Sequence, residues 1–70
     1  MTRVQIHTEY ITLNQFLKFC GAAETGGEAA DWIRDGEVTV DGEVCTARRK
    51  KLYGGETVAV FGEEYRVVQS

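Results

Sequence analysis

The spacing of apolar residues changes twice along this chain, and each change marks a different kind of element. Arg3-Val4-Gln5-Ile6-His7 alternates polar and apolar side chains, the period-two pattern of a half-buried strand. Leu13, Phe16, Leu17 and Cys20 then recur at i, i+3, i+4 and i+7, which places them on one face of a helix. Thr12 stands where that helix needs an N-cap, with Gln15 three residues on to complete a capping box, and Gly21 stands where it should stop. A second helix follows the same grammar. Thr25 caps it, Glu28 takes its third position, and Ala29, Trp32 and Ile33 form the predicted buried face. Arg34 occupies the last turn and Gly36 lies beyond it.

After Gly36 the period returns to two. Val38-Thr39-Val40 and Val44-Cys45 flank Asp41-Gly42, a dipeptide that tolerates positive φ at both positions and so predicts a hairpin. A strict two-residue loop would set Val44 opposite Thr39. Gly54-Gly55 predicts a turn, and Thr57–Phe61 and Tyr65–Val68 predict two further strands around Gly62-Glu63-Glu64. The expected fold is α+β, with two short helices packed on one face of a small, mostly antiparallel sheet. Residues 1–70 are expected to form a single domain. A chain this short buries only roughly 60% of its unfolded surface, which leaves little room for an enclosed active site.

Charge adds a feature that the hydrophobic pattern does not contain. The net charge is −3, yet four of the eight basic residues, Arg48, Arg49, Lys50 and Lys51, are consecutive. No acidic residue falls between Cys45 and Gly55, so the rest of the chain sets four cations against all 11 carboxylates. Four adjacent cations repel one another, so folding alone gives no reason to gather them. Arginine offers a planar fork of donors and lysine a compact point charge, and both suit phosphate. Screening over about 10 Å lets one basic patch act within an acidic protein, whereas overall acidity disfavours coating nucleic acid over the whole surface. Lys18, on the polar side of the first helix, extends the patch. Gly26-Gly27 opens the second helix, where free backbone N–H groups attract anions and glycine permits close approach, although no phosphate-binding Gly-Lys-Ser/Thr follows.

Other chemistry finds little support. His7 is the only histidine and has no serine or cysteine near it in sequence; it is expected to be a surface or edge residue. No Cys-x-x-Cys or His-x-x-x-His spacing supplies zinc ligands, and no cofactor or small-molecule substrate is implied. Cys20 and Cys45 fall in apolar-patterned segments and are expected to be reduced. No apolar run approaches the roughly 20 residues of a membrane span, and the N-terminus lacks a signal-peptide core, so a cytoplasmic protein is expected.

The ordered motifs Leu13-Asn14, Gly21, Thr25-Gly26-Gly27-Glu28-Ala29, the Gly36–Val44 segment and Leu52-x-Gly54-Gly55-Glu56-x-Val58 resemble the S4-type RNA-binding domain. The resemblance runs from about Ile11 to Phe61 and is nearest to small, stand-alone bacterial members. It implies two helices on a small sheet, with RNA contacted by the helical pair and neighbouring loops. By position it implies RNA contacts at Lys18, Thr25, Gly26, Gly27, Arg48, Lys50 and Lys51; Arg49, where stand-alone members often have glycine, joins them on charge alone. Thr25-Gly26 replaces the usual Ser-Arg, Ala30 replaces a basic residue, and Asp41 replaces a hairpin asparagine. The second helix therefore offers fewer cations than usual, which shifts the expected load to residues 48–51.

The leading expectation is a non-catalytic protein that binds structured RNA, ribosomal or transfer RNA, and that associates with ribosomes or assembling ribosomal particles. The alternative is a protein-interaction module whose basic loop meets an acidic surface of a ribosome-associated partner, with Phe19, Trp32 or Tyr53 as anchors. A ubiquitin-like sulfur carrier would use a C-terminal diglycine; here Gly54-Gly55 is internal and the chain ends Val67-Val68-Gln69-Ser70.

Overall fold

A computed structural model describes all residues, 1–70. The order of elements is β1 (Thr2–Ile6), β2 (Ile11–Thr12), α1 (Leu13–Phe19), α2 (Gly26–Arg34), β3 (Val38–Val40), β4 (Glu43–Val44), β5 (Lys51–Leu52), β6 (Thr57–Val60) and β7 (Glu63–Gln69). Five strands form the main sheet in the order β1-β7-β6-β3-β4, and β2 pairs with β5 in a separate two-stranded ribbon. All pairings are antiparallel except β1 with β7, which run parallel with Val4 beside Val67.

Local chemistry sets the helix ends. Thr12 Oγ1 accepts from the Gln15 backbone N–H at 3.3 Å, and the Thr12 N–H donates to Gln15 Oε1 at 3.1 Å, closing the capping box. At α2, Thr25 Oγ1 accepts from the Glu28 N–H at 3.1 Å. The Glu28 carboxylate reaches one residue further back than a simple box, to the Glu24 N–H at 3.0 Å. Each helix is followed by a glycine in the left-handed region, Gly21 at φ 84° and Gly36 at φ 79°.

Both helices lie on one side of the sheet. Leu13, Phe16 and Leu17 from α1 and Ala29 and Ile33 from α2 meet Val38, Val40, Val58, Val60 and Val67 in one buried cluster, with Leu52 of the ribbon also enclosed. Truncating a side chain such as Phe16 in a core this small would cost about 3–5 kcal/mol. Cys20 and Cys45 are free and half-buried beside the cluster.

The Asp41-Gly42 hairpin forms as the pattern predicts. Both residues have positive φ, 52° and 85°, and Thr39 pairs with Val44. Other boundaries differ. The turn between β6 and β7 is Phe61-Gly62 alone, because Val60 pairs directly with Glu63. Strand β7 therefore starts two residues earlier than the pattern predicts. Phe61 is not the end of a strand but a turn residue at φ 49°, a costly conformation for a bulky side chain. Its ring meets Trp32 edge to face, with centroids 5.0 Å apart. Trp32 is accordingly half-buried against the core rather than enclosed in it.

The Gly54-Gly55 turn has a second constraint beyond φ. Glu56 folds back so that its carboxylate accepts from the Tyr53 N–H at 2.9 Å and the Gly54 N–H at 2.7 Å. A Cβ on Gly54, which has φ 141°, would stand 2.9 Å from Gln69 Cβ, whereas one on Gly55, at φ 94°, would meet open space. Gly55→Ala should therefore lose about 1 kcal/mol from backbone strain alone. Gly54→Ala should lose at least about 1 kcal/mol more through the added clash. Urea denaturation midpoints of the two variants check this ordering; equal losses would contradict it.

Candidate nucleic-acid interface

The basic run is an ordered turn rather than a free loop. The Lys50 N–H donates to the Ala47 carbonyl at 3.0 Å, which makes Ala47–Lys50 a β-turn with Arg48 and Arg49 at its two central positions. This turn is fastened to the start of α1. The Leu13 N–H donates to the Lys50 carbonyl at 2.8 Å and the Asn14 N–H to the Arg48 carbonyl at 3.0 Å. A helix leaves its first N–H groups without internal partners. Here the basic segment's own carbonyls take two of them and Thr12 Oγ1 takes the next. The four side chains of residues 48–51 remain exposed, and none lies within ion-pair distance of a carboxylate.

Asn14 ties in the second helix. Its Nδ2 donates to the Gly26 carbonyl at 3.3 Å, so the first turn of α1 touches both the basic turn and the Thr25-Gly26-Gly27 corner. Its Oδ1 is buried with no hydrogen-bond donor. At the start of α2 the Gly26 and Gly27 N–H groups have no acceptor in the chain, in contrast to those of α1. Gly27 is exposed and a Cβ there would have only Thr25 Oγ1 near it, at 3.9 Å. The open end of α2 thus offers two backbone donors and the positive end of its dipole.

Lys18 lies one helical turn beyond Asn14. At about 100° per residue it falls between Asn14, which faces α2, and Gln15 and Phe19, which face away from it. It is exposed and unpaired. The structure thus connects Arg48, Arg49, Lys50, Thr25, Gly26 and Gly27 through the first turn of α1, with Lys18 on the adjoining face.

Lys51 sits differently from its three neighbours. It belongs to β5, opposite Thr12, and its Nζ lies over the Tyr10 ring at 4.8 Å from the centroid. Tyr10 also meets Tyr53, with centroids 5.9 Å apart. The run 48–51 is therefore a turn followed by a strand rather than one loop. Nothing in the hydrophobic pattern signals this, because β2 and β5 are two residues each and lie about forty residues apart in sequence. Tyr10 is not foreseen from the sequence as a site residue for the same reason; Tyr53 enters there only as an anchor of the protein-interaction alternative, and Asn14 only as part of a family motif.

Of the two cysteines, Cys45 adjoins the basic turn, its Sγ donating to the Ala47 carbonyl at 3.8 Å, whereas Cys20 lies at the end of α1. Burial raises the Cys20 thiol pKa above its ordinary value, which keeps it protonated and weakly nucleophilic, and its Sγ faces the Leu17 carbonyl. No group of three or more His, Cys, Asp or Glu side chains is placed to hold a metal ion, and no helix is long and apolar enough to cross a membrane.

The Asn14 bridge gives a direct test. Asn14→Ala removes one hydrogen bond and the buried Oδ1 together, so its cost should stay within about 1 kcal/mol. Asn14→Asp places a carboxylate against the Gly26 carbonyl, and its cost should reach about 2–4 kcal/mol at neutral pH. The introduced carboxyl would have a folded pKa above its unfolded one, so its penalty should grow as pH rises past about 4 and fade below it. Urea denaturation of both variants at pH 7 and pH 3.5 checks the order and the pH dependence.

Comparison with known proteins places these features in context. A family model of the S4 domain matches residues 4–68. A Bacillus subtilis (strain 168) protein named as a probable ribosome maturation protein, RlbA, is 41% identical over 59 residues, covering 84% of this chain and 83% of the relative. The putative RNA-binding protein YbcJ of Escherichia coli (strain K12) is 39% identical over 59 residues, covering 84% of each. The solution structure of E. coli YbcJ, described as revealing an "alfaL" motif involved in RNA-binding, matches 97% of this chain and 87% of that one, with a TM-score of 0.75 and 35% identity. The ribosomal protein S4e of Thermoplasma acidophilum shares the fold with a TM-score of 0.64 at 24% identity, over 84% of this chain and 31% of that one.

Proposed function

The chain belongs to the S4 domain family, and on that footing we propose that it is a non-catalytic RNA-binding protein of the cytoplasm whose target is structured RNA, ribosomal or transfer RNA. The observation that carries this reading is the Ala47–Lys50 turn, held on the first turn of α1 with its cations exposed and unpaired. Ordering the backbone before binding lowers the entropic cost of bringing several phosphates to fixed positions. Arg48, Arg49 and Lys50 contact phosphates from the turn and Lys51 from the adjoining strand, while Lys18 serves the neighbouring helical face. The Gly26 and Gly27 N–H groups accept a further phosphate at the start of α2.

Two further points support RNA. Like-charged neighbours destabilise a fold slightly, and a polyanion relieves that repulsion on binding. Relatives of similar length are named for RNA binding and for ribosome maturation, which favours a ribosomal particle as the setting.

Five side-chain contacts with phosphate predict a slope of log affinity against log salt of about −3.5 to −4.5. Fluorescence anisotropy with a ribosomal RNA hairpin, from 50 to 200 mM salt, measures it. Replacing Arg48, Arg49, Lys50 and Lys51 together by alanine should flatten the slope by about 3 and abolish binding at the higher salt. Unchanged affinity in that variant, with its unfolding midpoint preserved, would remove the basic segment from the interface.

A further inference from the structure

Beside the basic turn lies an open groove of about 790 Å³ between the β1–β2 connection and the outer face of α1. Its floor is apolar, with Ile6 buried and Ile11 half-buried. Tyr10 stands on one wall and Phe19 on the other, and both rings face solvent, at 39% and 57% exposure. An aromatic ring on the outer face of a two-layer protein contributes little to folding. Two of them across one groove, over an apolar floor, make a surface shaped to take a flat apolar body.

The groove is preformed. Gln69 Nε2 donates both to the Glu9 carbonyl at 3.1 Å and to the Tyr53 carbonyl at 2.9 Å, pinning the connection to the ribbon. Thr8 Oγ1 donates to the Tyr10 carbonyl at 2.8 Å and closes the bend from within. On the helix side, Gln15 is held by its place in the capping box. Neither wall needs to rearrange to admit an occupant.

The rim carries the charge that selects the occupant. Lys18 lines the groove, and Lys51 holds its ammonium over Tyr10. Both belong to the proposed RNA face, so the groove continues that face without a break. Glu9 is the one carboxylate on the lining, which also includes His7 and Lys18. Cations at the rim with aromatic rings inside suit a nucleotide, whose phosphate and base need those two environments at adjacent points. Such surfaces bind unstacked bases of single-stranded RNA, whereas paired bases cannot enter them.

We infer that the groove between Tyr10 and Phe19 receives an unstacked base from a single-stranded segment flanking the structured RNA, with Lys18 and Lys51 on its phosphates. The inference rests on the proposed RNA-binding reading and adds to it a preference for a duplex with a single-stranded flank over a blunt one. Stacking one base is worth about 1–3 kcal/mol, or at least roughly a five-fold gain in affinity.

The test compares a blunt RNA hairpin with the same hairpin carrying a five-nucleotide single-stranded extension that contains 2-aminopurine. The extended hairpin should bind at least five-fold more tightly, with quenched 2-aminopurine fluorescence. Phe19→Ala should reduce that gain while leaving affinity for the blunt hairpin within two-fold; Tyr10→Ala, which also removes the ring beneath Lys51, should reduce the ratio between the two hairpins, and Tyr10→Phe should preserve it. Equal affinity for the two hairpins, or a gain that survives both alanine variants, overturns the inference without touching the basic-turn reading. A second arm titrates the free single-stranded pentanucleotide into the protein and follows ring-proton shifts of Tyr10 and Phe19 by NMR. Shifts there uphold the groove even if the blunt hairpin does not bind; their absence at millimolar pentanucleotide overturns it. Concentration-dependent shifts of the same rings without RNA, with a doubled mass in sedimentation, would assign the groove to a second copy of the chain and also overturn it.

Discussion

Two backbone hydrogen bonds organise this molecule: those from the Leu13 and Asn14 N–H groups to the carbonyls of Lys50 and Arg48. The start of a helix has donors to give, and a turn carrying adjacent cations has carbonyls that lie beside concentrated positive charge. Joining them satisfies the helix and fixes the turn without using a single charged side chain. The pairing of β2 with β5 continues the same join by one more step, through Thr12 and Lys51. The side chains of Arg48, Arg49 and Lys50 are thus free because the backbone, not the side chains, makes the attachment, while the Lys51 ammonium rests over Tyr10.

Charge is distributed in keeping with that arrangement. Only Arg34 is committed to ion pairs, with Asp31 at 2.8 Å and Asp35 at 3.9 Å, all exposed at the end of α2. Exposed pairs of this kind add at most a fraction of a kcal/mol. Their effect is to neutralise a cation away from the basic turn. The acidic groups at the caps and hairpin turns serve the backbone, as Glu28, Asp41 and Glu56 each accept from an N–H. Five of the eleven carboxylates, Glu28, Asp31, Asp35, Asp41 and Glu56, are thus held by backbone N–H groups or by Arg34, and none of them pairs with the cations of the basic corner.

The parts of this fold visible in the sequence are those determined by neighbours a few residues apart. Thr12 with Gln15, Thr25 with Glu28 and Asp41-Gly42 act within one turn of chain, and the two helices and the first hairpin follow from them. The two-residue strands β2 and β5 are too short to show a period, and only the folded chain brings Tyr10 to Tyr53 and Lys51. Phe61 misleads for a different reason. An aromatic at the end of an apolar run reads as strand, but the pairing of Val60 with Glu63 leaves it in a two-residue left-handed turn, where its ring meets Trp32. Of the candidate site, the cations and the glycine corner were legible as types. Their common support on Asn14 was not, since one amide linking residues 14 and 26 leaves no periodic trace.

The parallel pairing of β1 with β7 joins the earliest strand to the latest one, with Ile6 beside Gln69. During synthesis, β1 has no neighbour in the main sheet until β7 has left the ribosome. The segments that build α1, α2 and the basic turn all emerge before that moment. At about 5–20 residues per second the wait lasts only seconds, yet it is long compared with the microseconds in which a helix forms. The basic corner can therefore begin to assemble on a chain whose sheet is still open, and closure by β7 becomes the step that commits the whole domain.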